Sequence, residues 1–160
     1  MPSAWTMRPT TFADASTVAQ HRYPETDVHA EPVRVYATWV AEAMERGTYL
    51  GWFVEESGRV AAGLGLTLLE WGPTKTDPSP TRARVVNVFT VLDYRQRGFA
   101  AALLKRAISE ARARGIGTLS LGTTDQARSL YTRLGFRPYE AEMVCKLHAS
   151  TGEPAPASLI

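Results

Sequence analysis

Cysteine is nearly missing from this sequence: Cys145 stands alone in 160 residues. A single thiol excludes an intramolecular disulfide framework and fits a reducing compartment. Histidine is scarce too, with 3 in the chain. No Cys/His cluster has metal-ligand spacing, so no metal is expected. Charge of one sign is also in short supply. The 18 basic and 16 acidic residues leave a net charge of +2, which argues against a general nucleic-acid binder. No apolar run approaches the roughly 20 residues needed to cross a bilayer, and no membrane association is expected. The opening MPSAWTMRPTTFADAS lacks the basic and apolar regions of a secretory signal. A cytoplasmic location is the expectation.

What is present suits a folded core. Hydrophobic residues make up 44% of the chain and charged residues 21%, and the length fits one domain. That domain is expected over 1–148. The low-complexity tail ASTGEPAPASLI, 149–160, is expected to fray. AWTMRPTT reads as a strand and FADASTVAQHR as a short helix, with Asp14 or Ser16 near its start as a cap. After the turn-rich YPETDVHAEP, Val33, Tyr36, Val40 and Met44 repeat at helical spacing, and Gly47 closes that helix. TYLGWFVEESGRVAAGLGLTLLEW reads as a hairpin turning at the glycine of EESGR. GPTKTDPSPT is an unusually long connection, mobile or functional.

RARVVNVFTV reads as a buried central strand with a polar interruption at Asn87. A long helix follows through Arg114, with Leu103, Leu104, Ala107, Ile108 and Ala111 on one face. GIGTLSLGTT supplies another strand, DQARSLYTRLG a short helix, and FRPYEAEMVCKLH one or two closing strands, with Cys145 as buried apolar filler. This order predicts an α/β (α+β) fold with a mostly antiparallel sheet and a right-handed parallel crossover around the long helix.

The turn between the central strand and the long helix carries chemistry. In YRQRGFAAALLKRA, Arg95 and Arg97 flank a turn whose Gly98 opens the helix. A helix start leaves about four N–H groups unpaired and carries roughly half a positive charge. Small Ala100 and Ala101 do not obstruct an approaching anion, so the turn suits a phosphate or pyrophosphate. Solvated arginines on a surface turn are the plainer alternative. The pattern is neither a Walker A loop nor a dinucleotide fingerprint.

RQRGFA resembles the (Q/R)-x-x-G-x-(G/A) signature of GCN5-related N-acetyltransferases. Downstream, ARSLYTRLGFRPY resembles that family's A-x-x-L-Y-x-x-x-G-F signature, in the same order and on matching elements. The resemblance spans roughly Ala4 to Lys146. It implies an acyl-CoA N-acyltransferase fold: a mixed, mostly antiparallel sheet of 6–7 strands, about four helices, and a splayed pair of fourth and fifth strands. It implies acetyl-CoA as co-substrate, with its pantetheine arm on the backbone of Val88, Phe89 and Thr90. Gln96, Arg97, Gly98, Phe99, Ala100 and Ala101 then surround the pyrophosphate through backbone N–H groups, and Arg95 occupies the Gln/Arg position that opens this cofactor-binding motif. Thr124 stands where relatives carry a cofactor-contacting asparagine.

Tyr131 matches the family's general acid. A phenol of pKa about 10 can donate to a departing thiolate whose conjugate acid lies near 8.5. An alkylammonium, with a pKa of about 10.4, must lose a proton before it attacks. Relatives place a glutamate on the fourth strand, where this chain has Asn87, which cannot act as a base. Glu70, acting through water, is a candidate base. Glu25, Glu31 and Asn87 are candidate acceptor-side residues, and Trp39, Trp52, Trp71 and Tyr36 a candidate aromatic wall. The expected activity is acetyl transfer to a primary amine, small-molecule or peptide. A non-catalytic acetyl-CoA sensor or partner-binding module is the alternative, and a homodimer is among the expected assemblies.

Overall fold

The computed structural model describes residues 4–148, so the expected tail at 149–160 lies outside the described residues. Five strands form one sheet in the order β1-β2-β3-β4-β5. They are β1 (Trp5–Pro9), β2 (Tyr49–Glu56), β3 (Arg59–Glu70), β4 (Thr81–Thr90) and β5 (Leu119–Ser120). The first four pair antiparallel, and β4 pairs parallel with β5. Helices α1 (Ala15–Arg22) and α2 (Glu31–Arg46) cover one face. Helices α3 (Phe99–Ala113) and α4 (Arg128–Arg133) border the second cluster on the other.

Local chemistry explains the elements. Pro32 opens α2, where its missing N–H costs nothing, and left-handed Gly47 ends it. The β2–β3 hairpin turns on Ser57 and Gly58, both at positive φ, matching the right-handed twist of the strands. Asp14 does not cap α1 directly. It accepts the Thr11 N–H at 2.7 Å at the 3-10 turn ahead of α1, and it pairs with Arg8 of β1. On α3, Leu103, Leu104, Ala107 and Ala111 are buried with Phe99. Burying each leucine contributes roughly 2 kcal/mol. The long 72–81 connection folds back, with Thr118 Oγ1 donating to Asp77 at 3.4 Å.

Two features prepare the site. First, Gly63 pairs with Phe89 and Gly65 with Val86, so Asn87 and Val88 together face Leu64 alone. This is a β-bulge, and Asn87 takes it up at φ +56. Second, a Cβ at Gly65 would collide with the ring of Tyr49. Glycine there lets the Tyr49 ring cross β3 and bring its hydroxyl to Asn87, whose Nδ2 donates to it at 3.0 Å.

The closing strands are a correction. No strand follows β5 among the described residues, so the sheet has five strands rather than 6–7. Met143, Val144 and Leu147 are exposed, and so is Cys145, which is no core filler. Alternation of apolar residues alone suggested strands there, but 137–148 finds no sheet edge within this chain. No helix among the described residues is long and apolar enough to cross a membrane.

His21 makes the fold sensitive to acid. It stacks on Phe89 at 4.7 Å and sits against Phe53, and burial pushes its pKa down to about 4. The unfolded chain, with histidine near 6.5, takes up the proton first as pH falls. Stability is therefore fully present above about pH 6.5 and declines towards pH 4, by on the order of 3 kcal/mol. Urea midpoints of the wild type should fall across that window, and His21→Phe should flatten the slope. A flat wild-type profile would refute the buried neutral imidazole.

Candidate active site

The site is organised along one edge of β4. Its pairing with β5 ends at Arg84↔Ser120, and residues 85–90 continue without a strand neighbour on that side. Backbone groups there can take an extended ligand as an added strand. The bulge divides the side chains. Ala83, Val85 and Val88 belong to the apolar cluster of α3 and Tyr131. Val86 packs with the cluster of α1 and α2, Asn87 reaches Tyr36 and Tyr49, and Phe89 lies on His21. Without the bulge, strict alternation would send Asn87 to the α3 face.

At the C-terminal end of β4 the chain builds an anion cradle. A 3-10 turn at Leu92–Tyr94 leads into Arg95, whose Nε donates to Thr90 O at 3.2 Å. Gln96 and Gly98 both take positive φ, +62 and +82. Ala102 N–H donates to Gly98 O at 3.0 Å. The N–H groups of Phe99, Ala100 and Ala101 therefore head α3 without an intrahelical partner. Phe99 is buried against Trp5, with ring centroids 5.4 Å apart, which fixes the helix start.

Arg97 belongs to the scaffold. Its Nη1 and Nη2 donate to Glu56 at 2.9 and 2.6 Å, and its guanidinium lies 4.9 Å from the Phe99 ring centroid. The hydrogen bond from Arg97 holds the Glu56 carboxyl below its ordinary range. The pair ties the end of β2 to the cradle. Glu56 carried no signal in the sequence, because its partner is 41 residues away. The free donors at this turn are therefore backbone N–H groups rather than the Arg97 guanidinium.

On the α3 side of β4, Tyr131 is 2% exposed, and its ring meets Phe136 edge-on at 5.8 Å. Its hydroxyl is buried and makes no hydrogen bond among the described residues. Burial pushes this phenol up, so it stays protonated. Thr124 sits just ahead of α4, where its hydroxyl accepts the Ala127 N–H at 3.4 Å. That hydroxyl retains its own proton to donate.

On the α1/α2 side, Asn87 is 4% exposed and fully engaged. Its Nδ2 donates to Tyr36 at 2.8 Å and to Tyr49, while Oδ1 accepts from Arg22 Nη1 at 3.2 Å. Burial raises both phenols, so both remain protonated. Arg22 and Tyr49 belong to this cluster, and sequence reasoning missed them. The reach of Tyr49 depends on Gly65, a close approach with no motif.

The carboxylates separate from this cluster. Glu70 pairs with Thr81, six positions along β4 from Asn87 and so roughly 20 Å away. That distance removes it as a base at the bulge. Glu25 is exposed on the α1–α2 connection and Glu31 on the first turn of α2; among the described residues neither makes a hydrogen bond or ion pair with the Asn87 cluster. The aromatic wall divides too. Tyr36 and Trp39 lie together, with centroids 5.4 Å apart. Trp52 is buried under Arg106, and Trp71 is exposed beneath Arg82. Among the described residues no group of three or more His, Cys, Asp or Glu is arranged to hold a metal.

A family model described as the acetyltransferase (GNAT) family matches residues 12–136. A GCN5-related N-acetyltransferase from Ralstonia eutropha superposes with a TM-score of 0.80 at 30% identity, over 90% of this chain and 99% of that one. A predicted acetyltransferase from Clostridium acetobutylicum, solved with acetyl-CoA, gives a TM-score of 0.83 at 19% identity, over 92% and 100%. An aminoglycoside N-acetyltransferase in complex with CoA gives 0.72 at 13%, over 91% and 96%. The latter two are likenesses of fold alone. No curated protein matches this chain.

The cradle's left-handed turn can be tested alone. A Cβ at Gly98 meets nothing within 4 Å, so Gly98→Ala pays only for its φ of +82. It should lower unfolding stability by roughly 1 kcal/mol in urea titrations. No loss at all would show that the turn does not need glycine.

Proposed function

The chain belongs to the acetyltransferase (GNAT) family, and from that premise we propose that it transfers the acetyl group of acetyl-CoA to a primary amine by direct attack. The observation that carries this reading is the buried, unpartnered Tyr131 hydroxyl in the apolar cluster that holds Val88 of β4. A buried hydroxyl without a partner is costly, and a departing thiolate would satisfy it. The same dry surroundings that keep the phenol protonated also raise the basicity of a thiolate released beside it.

The other residues divide the remaining tasks. The N–H groups of Phe99, Ala100 and Ala101, with the left-handed turns at Gln96 and Gly98, suit a pyrophosphate. The unpaired edge at Val88, Phe89 and Thr90 suits the amide-bearing pantetheine arm, and Thr124 lies ahead of α4 to assist. Arg95 and Arg97 act by shaping the loop. At the bulge, the backbone N–H of Val88 polarises the thioester carbonyl, stabilising the charge that develops during attack. The amine enters from the Asn87 side. Asn87 has no basic site, so the amine arrives neutral or loses its proton to water near the Glu25 and Glu31 rim.

A second copy of this chain is the assembly partner we propose. The exposed Met143, Val144 and Leu147, at 96%, 78% and 90%, support pairing of 137–148 with a neighbouring copy.

Two measurements bear on these readings. Tyr131→Phe should lower kcat by roughly 10²-fold or more while acetyl-CoA affinity stays within about twofold; loss of CoA binding instead would overturn the acid role. Light scattering should give a particle of twice the 17.6 kDa chain mass, and Leu147→Glu should return it to monomer. A monomeric wild type at micromolar concentration would refute the dimer.

A further inference from the structure

Arg22 ends α1 half-buried, between Asn87 of β4 and the aromatic face of α2. Nη1 donates to Asn87 Oδ1 at 3.2 Å and Nε to the Tyr23 hydroxyl at 3.3 Å. The guanidinium lies 4.5 Å from the Tyr36 ring centroid, which holds it flat. Among the described residues, Nη2 makes no hydrogen bond, and no carboxylate lies within ion-pair distance of Arg22. Four arginines that brace the scaffold differ from it. Arg8, Arg97, Arg106 and Arg114 each pair with a carboxylate, although their side chains are 36–43% exposed. Nη2 of Arg22 is not among the buried unpartnered atoms, so this end of the guanidinium faces outward and is open to an anion.

Two more arginines lie along this face of the strand. Arg82 and Arg84 share a face of β4 with Val86, opposite the buried Ala83 and Val85. Arg82 lies over Trp71 at 4.6 Å and Arg84 donates to Ser120 at 3.4 Å. Neither pairs with a carboxylate among the described residues. A bare ammonium approaching the bulge from this side meets like charge. An amine that carries its own anion does not.

Building on the transferase reading above, we propose that Arg22 pairs with a carboxylate on the acceptor, so that the acceptors are α- or β-amino acids rather than simple amines. Asn87 and Tyr23 occupy part of the fork, and Nη2 with the remaining Nη1 hydrogen suits the two oxygens of one carboxylate. The hydrogen bond from Arg22 to Asn87 sets the anchor directly beside the bulge. The carboxylate and the attacking nitrogen are therefore separated by a short spacer. Rim residues Glu25 and Glu31 would then disfavour additional negative charge further out.

The test compares matched acceptors at saturating acetyl-CoA, with thiol release as readout: L-α-amino acids and β-alanine against their carboxamides, the corresponding amino alcohols, and aminoalkyl phosphates. The acids should exceed their carboxamides by at least about tenfold in kcat/KM, mainly through KM. In Arg22→Leu this acid-to-amide ratio should collapse towards one, and Arg22→Lys should keep part of it. An acetyl-CoA-induced thermal shift retained in both variants shows that they are folded. Carboxamides or amino alcohols acetylated as well as the acids would overturn the inference and leave the transferase reading standing. So would turnover confined to the phosphates, or an equal loss on acids and amides in Arg22→Leu. Acetyl-CoA binding with no thiol release from any acceptor would overturn both readings.

Discussion

The bulge in β4 is the constraint from which the rest of the site follows. Two residues, Asn87 and Val88, share the span of Leu64, and that surplus reverses the direction of every later side chain on the strand. Asparagine tolerates the left-handed backbone better than most residues, and its amide repays the strain by joining Tyr36, Tyr49 and Arg22. Val88 meanwhile points into the cluster that holds Tyr131. One backbone irregularity thus puts a polar hydrogen-bonded cluster on one side of the strand and the dry Tyr131 hydroxyl on the other.

The arginines divide by what they touch. Those that meet carboxylates are struts: Arg8 joins β1 to Asp14 and Glu55, and Arg97 joins the cradle to Glu56. Those on the α1/α2 face of β4 lack such partners and give that surface its sign. A near-neutral chain can therefore keep arginines without carboxylate partners along one face of a strand.

Much of this was legible in the sequence. The turn at Gly98, the apolar face of α3, the Ser57–Gly58 hairpin and the two signature stretches depend on local backbone preference and spacing, which a sequence carries directly. The losses share one cause, dependence on distant partners. Residues 137–148 alternate like strands, yet they join no strand of the sheet among the described residues. Glu70 looked suitable by type, but the β3–β4 register takes it to the far end of the sheet. Arg22 gave no signal, because the fold sets it against Asn87, 65 residues on. The pairing of the Arg97 side chain with Glu56 was hidden for the same reason.

Gly65 has a wider consequence. Its missing side chain admits the Tyr49 ring, which in turn receives a hydrogen bond from Asn87. Three positions on three strands are thereby locked into one combination. A change at any one alone blocks the ring, removes its hydroxyl or empties the bulge. An evolving lineage could alter the acceptor pocket easily at its helical rim, but could reach a different floor only by concerted replacement. Change in descendants of this chain would therefore accumulate first in α1, α2 and their connection, with β2, β3 and β4 inherited as a block.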